Sequence, residues 1–212
     1  MSKQTIFEQV KEKASSKEQT SAWYRKQVRL IAKNYTDVEK LIREDKQESL
    51  TEDNFQDTNR VRNNVREGHL YLFEYKATKK YLPYYDQFPL VYVTKRSSSN
   101  DFFGTNLHYI NPKYRYTVIK NLIENDTLNV PKITFHKYLD SNVIGRFLDL
   151  GKDEWYTAIY LPIDNFIRDK NGRKLPVRKD TVWNKTYENR RYRIKTKRSI
   201  EDYSDEPTIL IP

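Results

Sequence analysis

The main sheet of this protein can be predicted from residues 68–93, GHLYLFEYKATKKYLPYYDQFPLVYV. Apolar and aromatic side chains alternate from Gly68 onward and leave no polar face, a pattern typical of a strand covered on both sides. The end of this segment, FPLVYV, predicts a second strand. FGTNLHYI, residues 103–110, predicts a third.

The residues between the first two strands predict a structural turn. A residue before proline avoids the helical region, so Leu82-Pro83 favours an extended entry to this turn. Asp86 is placed to accept backbone N–H groups in an Asx-type turn. Pro89 cannot donate to a strand ladder and therefore marks the start of the next strand or an edge. We expect the turn to direct the aromatic pair Tyr84 and Tyr85 onto the sheet.

The N-terminal part of the chain is polar and is expected to be helical. Residues 5–14, 21–35 and 36–47 each carry a narrow apolar stripe. Thr20 or Ser21 can cap the second of these helices, and Thr36 begins a capping box for the third. Few apolar residues follow between residues 49 and 67, which predicts a linker or a short helix.

The elements after the third strand are less regular. NPKYRYTVIKNLIEN, residues 111–125, predicts a helix with Asn111 as its cap and Pro112 at its first position. Residues 133–150 predict a short helix and then an extended segment. EWYTAIYLPI, residues 154–163, predicts a fourth strand that ends at Pro162 and is followed by a short turn. The Asn-Gly pair at residues 171–172 predicts a further turn.

These elements together predict an α+β fold. The sheet is expected to be a small antiparallel sheet or an SH3-like barrel, with N-terminal helices and a basic C-terminal arm. The predicted organisation has a helical N-terminal region at residues 1–66 and a sheet or barrel core with an inserted helix at residues 67–167. A basic arm with an acidic tail occupies residues 168–212.

The composition is that of a polar protein with an aromatic core. Only 37% of the residues are hydrophobic, but 17 tyrosines and 9 phenylalanines supply large side chains that bury much area. There is no cysteine, which excludes disulfides and thiolate metal sites. Because no apolar run approaches the roughly 20 residues that a membrane span needs, we expect a soluble protein made in a cytoplasm.

The excess positive charge is confined to one segment. Residues 168–198 contain 13 Lys and Arg against 3 Asp and Glu, whereas the other 181 residues contain 26 of each sign. A localised basic segment suits a polyanionic partner, since each neutralised phosphate releases counterions. The alternative is a solvated tail that keeps the protein soluble.

Aromatic residues are interleaved with the cations of this segment. Such a pattern can hold a phosphate backbone and stack on exposed bases at a strand end. Six residues are the candidate phosphate contacts, and two aromatic residues are the candidates for stacking on a terminal base pair. These candidates are Arg190, Arg191, Arg193, Lys195, Lys197 and Arg198, with Trp183 and Tyr192.

No arrangement of residues in the sequence requires catalysis. Walker loops, Gly-x-Gly-x-x-Gly and Gly-x-Ser-x-Gly are all missing. The three histidines show no metal-ligand spacing, so neither a metal nor a cofactor is predicted. His108, between Leu107 and Tyr109, is expected to be a hydrogen-bonded core residue. Glu74 and Lys76 on the first strand, with Asp57 as a partner, leave a metal-dependent nuclease as an alternative.

Five segments resemble a family of virion-associated proteins of tailed phages, especially the T-even-like phages. The resemblance covers about residues 21–167, and the LPYYDQFPLV and GTNLHY segments are its most specific part. The five segments are SAWYR at Ser21–Arg25, GHLYLFEY at Gly68–Tyr75, LPYYDQFPLV at Leu82–Val91, GTNLHY at Gly104–Tyr109 and DEWYTAIYLP at Asp153–Pro162.

The resemblance implies a DNA end protector of the head-completion type. Such proteins bind the ends of packaged genome DNA and shield them from host exonuclease. It therefore implies a protein that is made in the host cytoplasm and resides in the virion, with double-stranded DNA ends and other virion proteins as partners. It brings no catalytic residues. A neck or baseplate structural component that contacts acidic protein neighbours is the alternative.

Overall fold

The computed structural model describes residues 20–30, 33, 60–78, 82–97, 99–170, 172–191 and 193–197. The helices expected at residues 5–14 and 36–47 lie outside the described residues. Helix α1, residues 21–30, lies within the second expected helix. The Thr20 hydroxyl accepts a hydrogen bond from the Trp23 N–H at 3.3 Å, which confirms Thr20 as the cap. Val28 is buried, but Leu30 is 43% exposed, so the apolar stripe is narrower than expected.

Three further helices and eleven strands follow in the described part of the chain. The helices are α2 Pro112–Asn125, α3 Trp155–Ala158 and α4 Lys179–Glu188. The strands are β1 Val61–Arg62, β2 Leu70–Tyr75, β3 Tyr85–Asp86, β4 Leu90–Arg96, β5 Phe102–Asn106, β6 Thr127–Pro131, β7 Phe135–Tyr138, β8 Val143–Leu150, β9 Phe166–Lys170, β10 Arg173–Pro176 and β11 Arg193–Lys197. No described helix is long and apolar enough to cross a bilayer.

The main sheet has six strands in the order β1-β8-β2-β4-β5-β7, and all its neighbours are antiparallel. Strands β1 and β7 are its two edges, and no closed barrel forms among the described residues. The predicted α+β class and antiparallel sheet are therefore confirmed, whereas the SH3-like barrel is not formed.

Strand β2 is buried on both faces, as its sequence predicts. Leu70 and Leu72 lie in an aliphatic cluster that also receives Ile119 of α2 and Val28 of α1. The aromatic residues of β2 lie in a second cluster on the other face, where the Phe73 and Phe147 ring centroids are 5.1 Å apart. The sheet thus separates an aliphatic core from an aromatic core.

Glycine at position 104 is required by the close packing of β4 against β5. A Cβ at this position would lie 2.4 Å from the Val91 Cγ1 atom and 2.7 Å from the Tyr92 carbonyl oxygen. The backbone oxygen cannot move without breaking the pairing of these strands. This contact explains physically why GTNLHY begins with glycine.

Helix α2 follows its capping signals. The Asn111 side chain accepts from the Lys113 N–H at 3.2 Å, and proline occupies the first turn. Asp126, in the left-handed region at φ 50°, ends the helix.

The third predicted strand, by contrast, ends early. The Asn106 side chain accepts from the His108 N–H at 3.0 Å and turns Leu107–Tyr109 into a 3-10 helix.

Two predictions for residues 133–168 are wrong. Residues 154–163 form no strand, because Trp155, Ala158 and Ile159 are buried at the i, i+3, i+4 spacing of a helix, and α3 forms there. The turn expected to begin at Asp164 is instead a short loop, Asp164 and Asn165, that leads into β9. The segment 133–150 is only partly as predicted, since two 3-10 turns flank β7 before the extended β8.

The basic segment 168–198 forms four elements in the described part of the chain. Strand β9, which spans the second predicted domain boundary, pairs with β3 and β10 in a three-stranded sheet. Helix α4 buries Val182 and Thr186 against the body. Strand β11 pairs with β6. The described residues of the basic segment are thus built into the fold through these four elements.

Candidate nucleic-acid interface

The turn between β2 and β4 is organised by the buried carboxylate of Asp86. Its Oδ1 atom accepts the Phe88 N–H at 3.0 Å, which makes the Asx-type turn, and also the Asn165 N–H at 3.0 Å. Its Oδ2 atom lies 2.7 Å from Nδ1 of His108 and 3.3 Å from Nδ2 of Asn106. One side chain therefore joins β3, the end of β5 and the loop before β9.

Hydrogen bonds from neighbouring groups keep this buried carboxylate ionised. Burial alone would raise the pKa of Asp86, but His108 and the two backbone N–H groups lower that pKa below its ordinary value. An ionised carboxylate only accepts hydrogen bonds, so His108 Nδ1 is the donor of their contact. Asp86 and His108 are both inaccessible to solvent and form a structural pair.

The aromatic pair of the turn enters two different clusters. The Tyr84 ring lies 5.9 Å from Tyr109 and 6.2 Å from Phe166, whereas Tyr85 lies 6.4 Å from Tyr75. Pro89 directly precedes β4, an interior strand of the main sheet. The turn thus packs both tyrosines against neighbouring elements.

The backbone carbonyl of His108 links the core to helix α4. It accepts from Nη2 of Arg115 at 3.2 Å and from the indole N–H of Trp183 at 2.9 Å. Arg115 is 1% exposed and also donates to the carbonyls of Ile110 and Ile159, each at 2.8 Å. Burial lowers the pKa of Arg115 to about 10, against the opposing influence of Asp164 and Asp86, so it stays charged at neutral pH.

Trp183 is held by this link. Its ring is half-buried on α4, and the Arg115 guanidinium lies 6.0 Å from its centroid. The indole N–H that could reach a nucleic acid is already bonded within the protein. The structure thus gives Trp183 a role in fixing α4.

An exposed aromatic–arginine pair lies at the C-terminal end of α4. The Arg190 guanidinium lies 4.0 Å from the Tyr187 ring centroid, and Tyr187 is 54% exposed. Arg191 is also exposed, in the 3-10 turn Asn189–Arg191 that follows the helix. The sequence candidates did not include Tyr187, although its position three residues before Arg190 is the signal for such a contact on a helix.

The remaining candidates are placed by their backbone or lie outside the described residues. Strand β11 carries Arg193, Lys195 and Lys197 at alternate positions and pairs them with Pro131, Asn129 and Thr127 of β6. Tyr192 and Arg198 lie outside the described residues. Strand β11 therefore attaches the arm directly to the segment that follows α2.

Glu74, one of the residues that suggested a nuclease, is engaged in an ion pair. Both carboxylate oxygens of Glu74 bind Arg29, at 2.8 and 3.0 Å. No group of three His, Cys, Asp or Glu that could hold a metal occurs among the described residues. Asp57, the expected partner, lies outside them. The ion pair with α1 accounts for Glu74.

A protein-family model matches the chain. The model of the family described as Phage T4 terminal DNA protecting protein matches residues 2–136. No curated protein and no solved structure matches the chain. The matched range includes the turn at Asp86 and the His108 segment, and it ends within β7, before the basic segment.

The match covers more than half of the 212 residues, and it confirms the resemblance that the sequence motifs indicate. The chain therefore belongs to the phage T4 terminal DNA protecting protein family.

Proposed function

We propose that this protein binds the ends of packaged double-stranded DNA in a tailed-phage virion and shields them from exonucleases. Its binding is independent of sequence, and it acts as the head is completed. The observation that carries the proposal is the confinement of the whole +10 excess charge to residues 168–198 of a chain from a DNA-protecting family.

The geometry of α4 supports this proposal. The sheet and the link from His108 to Trp183 hold the helix against the body. The residues of the chain outside 168–198 are neutral in sum. Arg190 and Arg191 stand at its free end as phosphate contacts. Tyr187, covered by Arg190 on one side, is the aromatic surface on which a terminal base pair can stack, a contact worth about 1–3 kcal/mol.

Strand β11 extends the same surface in the proposal. Arg193, Lys195 and Lys197 belong to it as additional phosphate contacts, and Tyr192 and Arg198 remain candidates for contacts beside them. In this arrangement, the duplex end is bound by charge and by stacking, without readout of base edges.

The test compares a linear blunt duplex with a closed circle of the same length and sequence, at several salt concentrations. We expect tighter binding to the linear DNA and slower digestion of its ends by an exonuclease. Replacing Arg190 and Arg191 by Gln should make the slope of log K against log[salt] less steep by about 1.8, since each phosphate contact contributes about 0.9.

Replacement of Lys120 and Lys152 by Gln is the matched control, because both are exposed cations outside the basic segment. This control should leave the slope unchanged. Equal affinity for circular and linear DNA would contradict the end-binding role. Absence of DNA binding would instead favour a neck or baseplate component whose arm contacts an acidic protein.

A further inference from the structure

The hairpin of β9 and β10 separates its charges by face. Its register places Lys170 opposite Arg173, and Arg168 opposite Leu175. Since side chains alternate along a strand, Arg168, Lys170 and Arg173 share one face of this ribbon. On the other face, Lys174 lies opposite Asp169, so the charges there cancel. The ribbon thus has one face with three positive charges and one neutral face.

The ribbon is anchored firmly at its base. Strand β9 pairs with β3 through Ile167 and Phe166, both of which are buried. At the tip, Gly172 adopts a φ of 77°, and its N–H donates to the Asp169 side chain at 2.9 Å. The three cations lie between this capped turn and the buried base, and all three are exposed.

The charged face has no counterpart within the described part of the protein. None of the ion pairs between described residues involves Arg168, Lys170 or Arg173. Lys170 and Arg173 are directly opposite each other, and like charges in that position destabilise a strand pair. Folding alone gives no reason for this arrangement, whereas a bound polyanion would relieve the repulsion.

We propose that this face of the β9–β10 hairpin contacts the phosphates of duplex DNA, as a second site separate from Tyr187, Arg190 and Arg191. The proposal rests on the proposed DNA binding and adds a contact to the side of the duplex, away from its terminal base pair. Two residues along a strand span about 7 Å. The same length of duplex axis carries about four phosphate charges, enough for three cations.

The shape of the hairpin fits this partner. A two-stranded ribbon enters the major groove, which is about 12 Å wide, and its cations then face the phosphates along the groove. We assign the contact to the phosphate backbone, because Arg and Lys are usual partners of phosphate oxygens and such contacts carry no sequence information. The hairpin contributes affinity and salt dependence, and the end of α4 contributes the preference for ends.

The experiment replaces Arg168, Lys170 and Arg173 together by Gln in the full chain. We expect the slope of log K against log[salt] to become less steep by about 2.7 on a linear duplex. When the salt concentration rises from about 50 to 200 mM, the affinity of both proteins for DNA should fall. The fold-decrease for the variant should be about 40 times smaller than that for the unmodified protein. The preference for linear over circular DNA should be unchanged. Lys174→Gln, on the neutral face, is the matched control and should leave the slope within about 0.3 of the unmodified value.

The outcomes separate this inference from the proposed function. An unchanged slope in the triple variant, with end binding intact, overturns the hairpin contact and leaves the end-binding role standing. Loss of the preference for ends in the triple variant also overturns the inference. Such a loss would mean that the hairpin, and not the end of α4, provides that preference. Thermal unfolding checks the fold. If the triple variant is unstable, Arg173→Gln alone tests the same contact, with an expected change of about 0.9 and an unchanged slope again overturning it.

Discussion

At the scale of single residues, Asp86 is the side chain on which most of the structure converges. Its carboxylate accepts from the N–H groups of Phe88 and Asn165 and lies within hydrogen-bond distance of His108 and Asn106. A buried charge is tolerated only when its hydrogen-bonding capacity is filled, and here four donors fill it. Position 86 therefore needs a carboxylate, since a neutral amide cannot accept at both ends.

We expect Asp86→Asn to lower the free energy of unfolding at pH 7 by about 1.5–3 kcal/mol, the range for a hydrogen bond to a charged group. The folded-state pKa of Asp86 lies below its unfolded value, so its stabilising contribution is complete above about pH 4 and is lost as the pH falls through the folded pKa. The difference between variant and unmodified protein should shrink in that acid range.

Urea unfolding at a series of pH values measures this effect. Asp153→Asn, at an exposed carboxylate, serves as the control and should change stability by less than about 0.5 kcal/mol. A difference for Asp86→Asn that stays constant from pH 7 to pH 3 would show that its charge does not contribute.

His136 shows how burial acts on the pKa of a single ring. It packs 4.5 Å from the Tyr109 ring, and burial lowers its pKa to about 4, although Asp86 opposes this shift. A histidine with a depressed folded pKa stabilises the protein fully above its unfolded pKa of about 6.5, and this contribution declines as the pH falls from there. His136 and Asp86 thus weaken the fold in successive acid ranges.

At the scale of elements, the position of α4 depends on a few contacts. Val182 and Thr186 are buried, Lys179 lies 2.9 Å from the carboxylate of Asp164, and Trp183 donates to the His108 carbonyl. The same carbonyl is bonded by Arg115, which ties α4 to α2 through one acceptor. Helix α4 is therefore positioned in part by His108, whose ring also pairs with Asp86.

We expect Trp183→Phe to lower the free energy of unfolding by about 1 kcal/mol, since it deletes one hydrogen bond and keeps an aromatic ring. Hydrogen exchange should show faster opening of the α4 amides with little change in the main sheet. The slope of log K for DNA against log[salt] should not change, because the indole bonds to the protein.

Tyr187→Phe, at an exposed ring of the same helix, is the control for stability and should unfold like the unmodified protein. A clear loss of DNA affinity in Trp183→Phe, without faster hydrogen exchange in α4, would show that the indole contacts the nucleic acid directly.

At the scale of the whole molecule, charge and core are separated along the chain. The body contains two cores on either side of the main sheet, and the 181 residues outside the basic segment 168–198 carry 26 charges of each sign. Excess cations lie on two separate elements, the β9–β10 hairpin and the end of α4. The hairpin ends at Pro176 and α4 begins at Lys179, so a short connection joins them. A body that presents two positive surfaces suits a partner with many phosphates.

If both surfaces engage one duplex, their salt effects should add. We expect the combined replacement of Arg168, Lys170, Arg173, Arg190 and Arg191 by Gln to make the salt slope less steep by about 4.5, the sum of the two separate changes. Equilibrium titration with one linear duplex measures it. A combined change no larger than that of either set alone would mean that the two surfaces do not bind the same DNA together.

Local signals in the sequence determined the α+β class, the two-sided strand β2, the capped helices and the turn at Asp86. Alternation, capping residues and the restriction before proline act within a few residues, so they can be read without knowing the fold. The resemblance to the phage family and the confinement of the excess charge to residues 168–198 were also evident in the sequence.

Tertiary structure decided the rest, because burial depends on what packs against a segment. Residues 154–163 alternate as a strand would, yet the aliphatic core takes up Trp155, Ala158 and Ile159 at helical spacing. The contact between Asp86 and His108, 22 residues apart, exists only once β3 and β5 are assembled. The basic segment became a hairpin, a helix and a strand because the body offers β3, the His108 carbonyl and β6 as partners.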